Sequence, residues 1–450
     1  MRIFFKIMAV IILLLLIFLV GIFKFRQHQA NQILIPKNTT AIIKVNMDEI
    51  YKSLAFNMIA HPGFYFNSFK KDSTSTADKL ESGLNIPASI YFYTVKGQAS
   101  TTLFTRFNID DPAAFESFLK NTLRLTVSKK QNGTNYAKNG PGNVVLYFNS
   151  KDVAMAVSGK AANFGQILTD ILLQKNFEPV SSSYNFKTIT NDKEHISFIE
   201  AGNSGNINFK NGELLFSYVR NQTVNTTLKS GISHSVPNGE SIAYLWYNGS
   251  LSEQNTRKFQ YKNLKIQHDS INKYFDDYLD FEWTKSMSKT DSVITYEYND
   301  DFEKVEKISL QKNSLPLFAL QLDLKSVGLK NYLSKIGLID PDSSTINRNI
   351  FPVYKVYTAE TDKSLTFSTQ KNFKINAKTI KSDDFFYLNI NFYKLNEALK
   401  TPLIAGYTKA LKRLEIKGNV MESKRLKFNG KMELIKPEIN SLYQIIKSIY

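Results

Sequence analysis

The chain has 450 residues, 43% hydrophobic and 22% charged, which is close to the globular average and long enough for two or three domains. Its 57 Lys and Arg against 40 Asp and Glu give a formal charge of +17, and it contains no cysteine. Disulfides, thiolate metal sites, cysteine nucleophiles and a lipid-modified cysteine anchor are therefore excluded. The basic residues are mostly scattered lysines with no Arg-rich patch or aromatic RNP-like motif, so nucleic acid is not the expected partner.

From Ile7 to Phe23 every residue is apolar or Gly, with Arg2, Lys6, Lys24 and Arg26 on the flanks. This predicts an N-terminal membrane anchor over 1–27, because the run exceeds a usual signal-peptide core and the bulky, basic GIFKFRQHQA follows it. Cleavage after Ala30 is the competing reading. Residues 28–34 read as a juxtamembrane linker. A single N-terminal span ahead of a long soluble remainder reads as an export anchor at the cytoplasmic membrane, with the folded part outside the cytoplasm. The basic charge suits anionic headgroups or envelope polyanions as much as a simple solubilising surface.

The folded part opens at Ile35-Pro36 and runs into a strand, Ala41 to Val45. Asn46 then reads as an N-cap with Glu49 completing a capping box, and Asp48 and Glu49 favour the helix start electrostatically. Met47, Ile50, Tyr51, Leu54 and Met58 follow as one apolar face. The same strand, cap and helix unit recurs three times. After Asp110-Asp111, Pro112 takes the first helical position and Phe115, Phe118, Leu119 and Leu123 form the face. Asp323 precedes Leu329, Tyr332, Leu333 and Ile336, with Gly337 as the stop. Asn391 precedes Leu395, Ala398 and Leu399, with Pro402 ending the helix. The acidic first turn of the opening copy is missing from the last two, so the recurring polar residue reads as construction and not as chemistry.

Hairpins are predicted at Lys96-Gly97, Asn149 to Asp152, Asn211-Gly212 and Asn429-Gly430, the Asn-Gly pairs being the strongest signals. Helices alternating with hairpins point to an α+β fold: two tandem lobes, 35–230 and 231–450, each an antiparallel sheet with helices packed on one face. The segment ILIPKNTTAIIKVN resembles HSVPNGESIAYLWYN, which hints at a duplication. Ser270 to Asp291 is compatible with helix or strand.

Catalytic motifs are not evident. GNSGN at Gly202 lacks the last glycine of a nucleophile elbow, and GPGN at Gly140 and SGKAAN at Ser158 do not match a phosphate loop. His28, His61, His195, His234 and His268 are widely spaced, so no metal or other cofactor is implied. Acidic clusters at Asp276, Asp277, Asp280 and Glu282, at Asp300, Asp301 and Glu303, and at Asp383-Asp384 have the chemistry of a glycosidase pair or a cation site. They also sit where turns and caps ordinarily place Asp. The aromatic runs YFYTV and FFYLNINFY fit half-buried strands better than sugar platforms.

The cysteine-free anchor, IPKNTTAIIKVNMDEIYKSL, NIPASIYFYTVKG, FNIDDPAAFESFLKN and the ending LKFNGKMELIKPEINSLYQIIKSI together resemble uncharacterised membrane-anchored envelope proteins of Bacteroidetes-type bacteria. The resemblance implies a tandem α+β envelope protein and supplies no functional residues. The expected function is a non-catalytic binding or assembly module, tethered through its N-terminal helix and meeting another envelope protein or an anionic envelope polymer. The alternatives are a tethered enzyme acting on envelope polymers and a lipid- or glycan-binding protein.

Overall fold

The computed structural model describes residues 21–69, 81–129, 133–221, 233–235, 239, 241–249, 259–262, 264–371, 379–399, 406, 408–422 and 425–449. They form a mixed α+β protein whose strand pairings are antiparallel. Contacts separate two units, Met1–Asn221 with Glu438–Tyr443, and Gln222–Pro437 with Gln444–Tyr450. The boundary thus lies at Asn221 where the sequence suggested 230, and a short segment near the C-terminus returns to the first unit.

In the first unit the strands are β1 (Leu34–Pro36), β2 (Thr39–Asn46), β3 (Leu84–Asn85), β4 (Ser89–Val95), β5 (Thr102–Ile109), β6 (Thr126–Lys129), β7 (Asn135–Lys138), β8 (Val144–Phe148), β9 (Asp152–Ser158), β10 (Phe177–Pro179), β11 (Ile196–Glu200), β12 (Asn203–Phe209) and β13 (Glu213–Arg220). Ten of them run in the order β13-β12-β11-β2-β4-β5-β9-β8-β7-β6. The helices include α1 (21–31), α2 (Met47–Ala60), α3 (Pro62–Phe69), α4 (Pro112–Ser117) and α5 (Gly165–Leu172).

Helices do not cover one sheet face only, as the alternation of elements suggested. Leu168 and Ile171 of α5 share a core with Val145, Tyr147, Ala154 and Ala156. Phe115 of α4 and Leu119 just beyond it pack instead with Leu146, Phe148 and Val153. Neighbouring residues of a strand face opposite ways, so α4 and α5 lie on opposite faces. The cause is legible in β8 and β9, which are apolar at consecutive positions and need cover on both sides.

The second unit contains β14 (Ser233–Ser235), β15 (Ala243–Asn248), β16 (Phe259–Tyr261), β17 (Leu264–Ile266), α6 (His268–Asn272), β18 (Phe275–Tyr298), β19 (Lys304–Leu324), α7 (Leu329–Lys335), β20 (Ile339–Asp340), β21 (Thr345–Ile346), β22 (Tyr357–Glu360), β23 (Ser364–Ser368), β24 (Thr379–Lys381), β25 (Phe386–Asn391), α8 (Phe392–Leu399), β26 (Leu411–Val420) and β27 (Leu426–Leu434). Its order is β27-β26-β25-β15-β18-β19-β23-β22-β21-β20. Position by position this repeats the first unit's order, with β2 replaced by β15, β4 and β5 by β18 and β19, and α4 by α7. The register agrees too: Lys44 lies opposite Tyr91 and Ser197, and Trp246 opposite Asp280 and Tyr387. The two segments whose sequences resemble each other supply β2 and β15.

The strand-to-helix transitions separate local from tertiary causes. Asp111 caps α4 as its spacing predicts, its Oδ1 accepting from Ala113 N at 2.9 Å and Ala114 N at 3.0 Å. Asp111→Ala is expected to cost about 1 kcal/mol, measured by urea unfolding of the full chain. Asn391 likewise accepts from Lys394 N at 3.1 Å. Asn46 precedes α2 but makes no side-chain cap, and its buried Oδ1 finds no partner among the described residues. Asp323 is no cap at all: it lies in β19 opposite Ser364, and α7 starts after Gly328. There Glu360 of β22 accepts from the Gly328 and Lys330 amides at 3.3 and 3.1 Å, capping the helix from a distant strand. Leu123, expected in the apolar face, is exposed because the helix widens into a π turn at Phe118–Thr122 and its phase shifts. Pro402 lies outside the described residues.

Asn211-Gly212 makes the β12–β13 turn, with Gly212 at φ +68°. Asn429-Gly430 does not turn; both lie inside β27, opposite Lys417 and Ile416, and the pairing runs on to Val420 and Leu426. The continuous register from Arg413 to Val420 overrides the turn preference of the pair.

Of the residues read as a linker, 28–31 belong to α1 and Leu34 opens β1. Arg26 of α1 grips the Asp48 carboxylate through Nη2 at 2.9 Å and Nε at 3.1 and 3.3 Å, Gln27 reaches Ser89 Oγ, and Ala30 is buried. Ser89 is level with Asn46 in the ladder. Because the chain runs from Gln27 back to the start of β2, α1 points outward beyond the sheet end where β2 passes into α2. Among the described residues no helix is long and apolar enough to cross a membrane; residues 7–20 of the apolar run lie outside them.

Candidate functional site

Comparison of equivalent hairpins isolates one element the fold does not require. In the first unit, β4 and β5 are joined by the short turn between Val95 and Thr102. In the second, β18 and β19 leave their neighbours beyond Trp283 and Ala319 and continue together from the pair Ser286 and Pro316 to the pair Tyr298 and Lys304. A register shift between Trp283 and Ser286 marks the departure. Thirteen residues per strand at about 3.3 Å each make a two-stranded arm on the order of 40 Å long.

The ladder assigns its side chains to two faces. Opposed pairs share a face, so Ser292 with Leu310, Ile294 with Ile308, Tyr296 with Glu306 and Tyr298 with Lys304 lie together. Thr295 with Lys307 and Glu297 with Val305 lie on the other. On the first face Ile294, Ile308 and Leu310 are 55%, 71% and 76% exposed, and Tyr296 and Tyr298 are exposed as well. The second face carries the Lys307–Glu297 ion pair at 2.8 Å, worth little in open solvent. Lys304 stands over the Tyr296 ring, 4.2 Å from its centre. At the tip, Asn299 Oδ1 accepts from the amides of Asp301 at 3.1 Å and Glu303 at 2.8 Å, and Phe302 takes φ +61° with its ring 85% exposed. A two-stranded ribbon is marginal alone in water, and exposed apolar side chains grouped on one of its faces are uncommon.

The acidic clusters are not brought together. Asp300, Asp301 and Glu303 occupy the exposed arm tip, whereas Asp280 and Glu282 are 2% and 1% exposed in the sheet part of β18. Glu282 accepts the Ser241 hydroxyl. Asp277 lies at φ +58° in the irregular start of β18, and Asp384 pairs locally with Ser382 at 3.0 Å. His195 is buried; its Nδ1 accepts from Phe209 N at 2.8 Å, and burial lowers its pKa. Among the described residues no three His, Asp or Glu form a metal-holding group.

The GPGN and SGKAAN segments do meet. They line an open cleft of about 540 Å³ with Tyr136 and Tyr147, next to a second of about 370 Å³ lined by Asn38, Gln98, Gln166 and Asn176. Beside these amides and phenols the linings carry charged side chains, Lys96, Asp170 and Lys175 in the smaller cleft and Lys138 in the larger.

The arm was the feature least visible in sequence. Its signal was present in the alternation VITYEY and KVEKISL around a polar turn, but without the first unit as a ruler nothing marked it as an extension. Fold and site together define a two-unit antiparallel α+β protein with a protruding, amphipathic β-arm. No protein-family model and no curated protein matches the chain. Among solved structures it is similar to crystal forms III, I and IV of the protein TP0453, at 8%, 10% and 9% identity and TM-scores of 0.22, 0.23 and 0.20. These matches cover 77%, 74% and 74% of this chain and 92%, 91% and 90% of the other. At such scores the similarity carries no argument about fold or function.

Proposed function

We propose that this chain is a membrane-tethered, non-catalytic assembly module of a bacterial envelope, and that the arm is the element with which it meets a partner. The carrying observation is the arm itself: an extension absent from the equivalent hairpin, with one apolar face left in solvent. The tandem, duplicated reading of the lobes is supported by the shared strand order and register. The tether reading is supported by the apolar run Ile7 to Phe23 and by α1, which the Arg26–Asp48 pair holds against the first unit. The end of the sheet from which α1 emerges also carries α2 and α3, where Tyr51, Phe56, Ile59 and Phe66 are exposed, a surface suited to lie near headgroups. The folded part is placed outside the cytoplasm, so protease added to spheroplasts should digest it; protection would overturn that placement.

The test of the arm is excision. Lys285 to Pro316 are replaced by Lys-Gly-Gln-Ala-Ser-Thr, the sequence that joins β4 to β5. The shortened chain is expected to keep its fold, with a melting temperature within about 3 °C of the full chain, since the arm buries little. Amine crosslinking in cells should lose its specific high-mass species. Retention of those species in the shortened chain would sink the proposal.

A further inference from the structure

We infer that the outer side of α2 is a second membrane contact of this chain, lying in the headgroup layer of a lipid bilayer beside the point where α1 enters it. This rests on the reading of Ile7 to Phe23 as the membrane tether. Three contacts fix how α2 lies. Asp48 N donates to Ala88 O, just before β4, at 3.2 Å; Ser53 Oγ donates to Phe209 O, at the end of β12, at 3.4 Å; and Asn57 Nδ2 donates to Glu438 O, in the segment tied to Gly212 at the β12–β13 turn. The nine steps from Asp48 to Asn57 rise about 14 Å, which matches three strand gaps of about 4.8 Å across β4, β2, β11 and β12. The helix therefore lies crosswise over one end of the first unit's sheet.

Its two sides differ. At about 3.6 residues per turn, Ile50, Ser53 and Asn57 face the strand ends, and Asp48, Tyr51, Lys52, Phe56 and Ile59 fall on the opposite side. Arg26 of α1 already covers Asp48 there, at 2.9 Å. Beyond that first turn the side is bare among the described residues: Phe56 is 65% and Ile59 77% exposed, although both are large and apolar. The helix's two carboxylates do not oppose an anionic surface, because Asp48 is paired with Arg26 and Glu49 with Lys52 at 3.3 Å. Aromatic, aliphatic and lysine side chains on a surface helix are those that settle at a membrane interface. Distance selects the occupant. α1 is continuous from Arg26 to Phe23, the last residue of the apolar run, and three residues of helix rise only about 5 Å. The headgroup layer is about 5 to 7 Å thick, whereas a packed helix of another protein needs about 10 Å. Lipid headgroups therefore fit between α2 and the hydrocarbon, and a folded partner does not.

Because the chain has no cysteine, single introduced thiols carry an environment-sensitive fluorophore without background. Full-length chains with Ile59→Cys, Phe56→Cys or Gln98→Cys are labelled and reconstituted into phosphatidylcholine vesicles, part of whose lipid carries a nitroxide near the top of the acyl chain. Gln98 follows β4 at the far end of the sheet, about 25 Å away along the eight residues of β2. All three positions are exposed, so labelling leaves the core intact. The Ile59→Cys and Phe56→Cys labels should lose emission to the nitroxide lipid and be shielded from aqueous iodide, and the Gln98→Cys label should do the reverse. Retention through a carbonate wash reports the tether separately. Retained chains whose Ile59→Cys label is open to iodide and untouched by the nitroxide lipid would overturn this inference and leave the tether standing. A label shielded from iodide but untouched by the nitroxide lipid would show that a second copy covers this side of α2, which also overturns it. Release by the wash would bring down the tether reading and this inference together.

Discussion

Replacing Asn57 by alanine should cost the first unit about 2 to 4 kcal/mol, because it removes three hydrogen bonds at once, two of them to the buried Tyr65 and Asn440. Asn57 is 2% exposed at the end of α2. Its Oδ1 accepts from the Tyr65 hydroxyl and from Asn440 N at 2.9 Å, and its Nδ2 donates to Glu438 O at 2.9 Å. It thus holds the returning segment Glu438–Tyr443, which is also tied by Gly212 N to Ile439 O and Ser441 N to Lys210 O, each within 3 Å. Tyr443 packs against Tyr65 with ring centres 4.3 Å apart. Tyr65→Phe removes one donor only and should cost about 1 kcal/mol. Hydrogen exchange at Asn440, Ser441 and Gly212 is the appropriate readout, since a chain of two units need not unfold in one step. Those amides should lose protection together in Asn57→Ala. If Asn57→Ala costs no more than Tyr65→Phe, the cluster is not a clamp.

The second large effect concerns Lys44, which is wholly buried in β2. Its Nζ donates to the carbonyls of Ile189, Thr190 and Asp192 at 3.3, 3.2 and 2.7 Å. Burial lowers its pKa from 10.5 to about 8, the Asp192 charge opposing in part. The Asp192 carboxyl is itself pushed up by burial against the pull of Lys44. Between about pH 8 and 10.5 the unfolded chain therefore holds a proton that the folded one has released. Stability must rise with pH across that window, by roughly 3 kcal/mol if fully traversed. The rise is best read below pH 10, because burial raises the phenol pKa of Tyr91 and Tyr93, which favours unfolding once free tyrosine ionises. Lys44→Met should flatten the slope from pH 8 to 10, and at pH 7 should cost about 1 to 3 kcal/mol by taking the ammonium donor from three carbonyls, of which that of Ile189 keeps the Asp192 amide. An unchanged slope in the variant would show that the lysine is solvated in the folded state.

At the position equivalent to Lys44 the second unit has Trp246, buried with Tyr244, Tyr278 and Tyr387. One strand order thus supports a cation held by loop carbonyls in one copy and an aromatic cluster in the other. Nothing in AIIKVN or AYLWYN alone foretells which cover each receives.

Much of the fold was legible because it follows from neighbours in sequence. Asp111 caps α4 through amides two and three residues away, and Asn211-Gly212 turns because Gly212 accepts positive φ. The failures share a cause. Asp323 lost its role to Glu360, a residue from another strand, and Asn429-Gly430 was straightened by pairing with β26. Tyr51, read as part of a buried face, is exposed, while Asp48 is buried under Arg26 of α1. In each case a partner remote in sequence outbid a weak local preference.

The sequence by itself determined the α+β class, the apolar N-terminal run, the absence of thiol chemistry and the local punctuation of strands and helices. These depend on residue type and short spacing. The tertiary structure alone decided which strands are equivalent, where the second unit departs from the first, and which apolar side chains remain uncovered. An alternating strand reads the same whether its apolar face is packed or bare; only the pairing of Ser286–Tyr298 with Lys304–Pro316, and with nothing else among the described residues, shows that here it is bare.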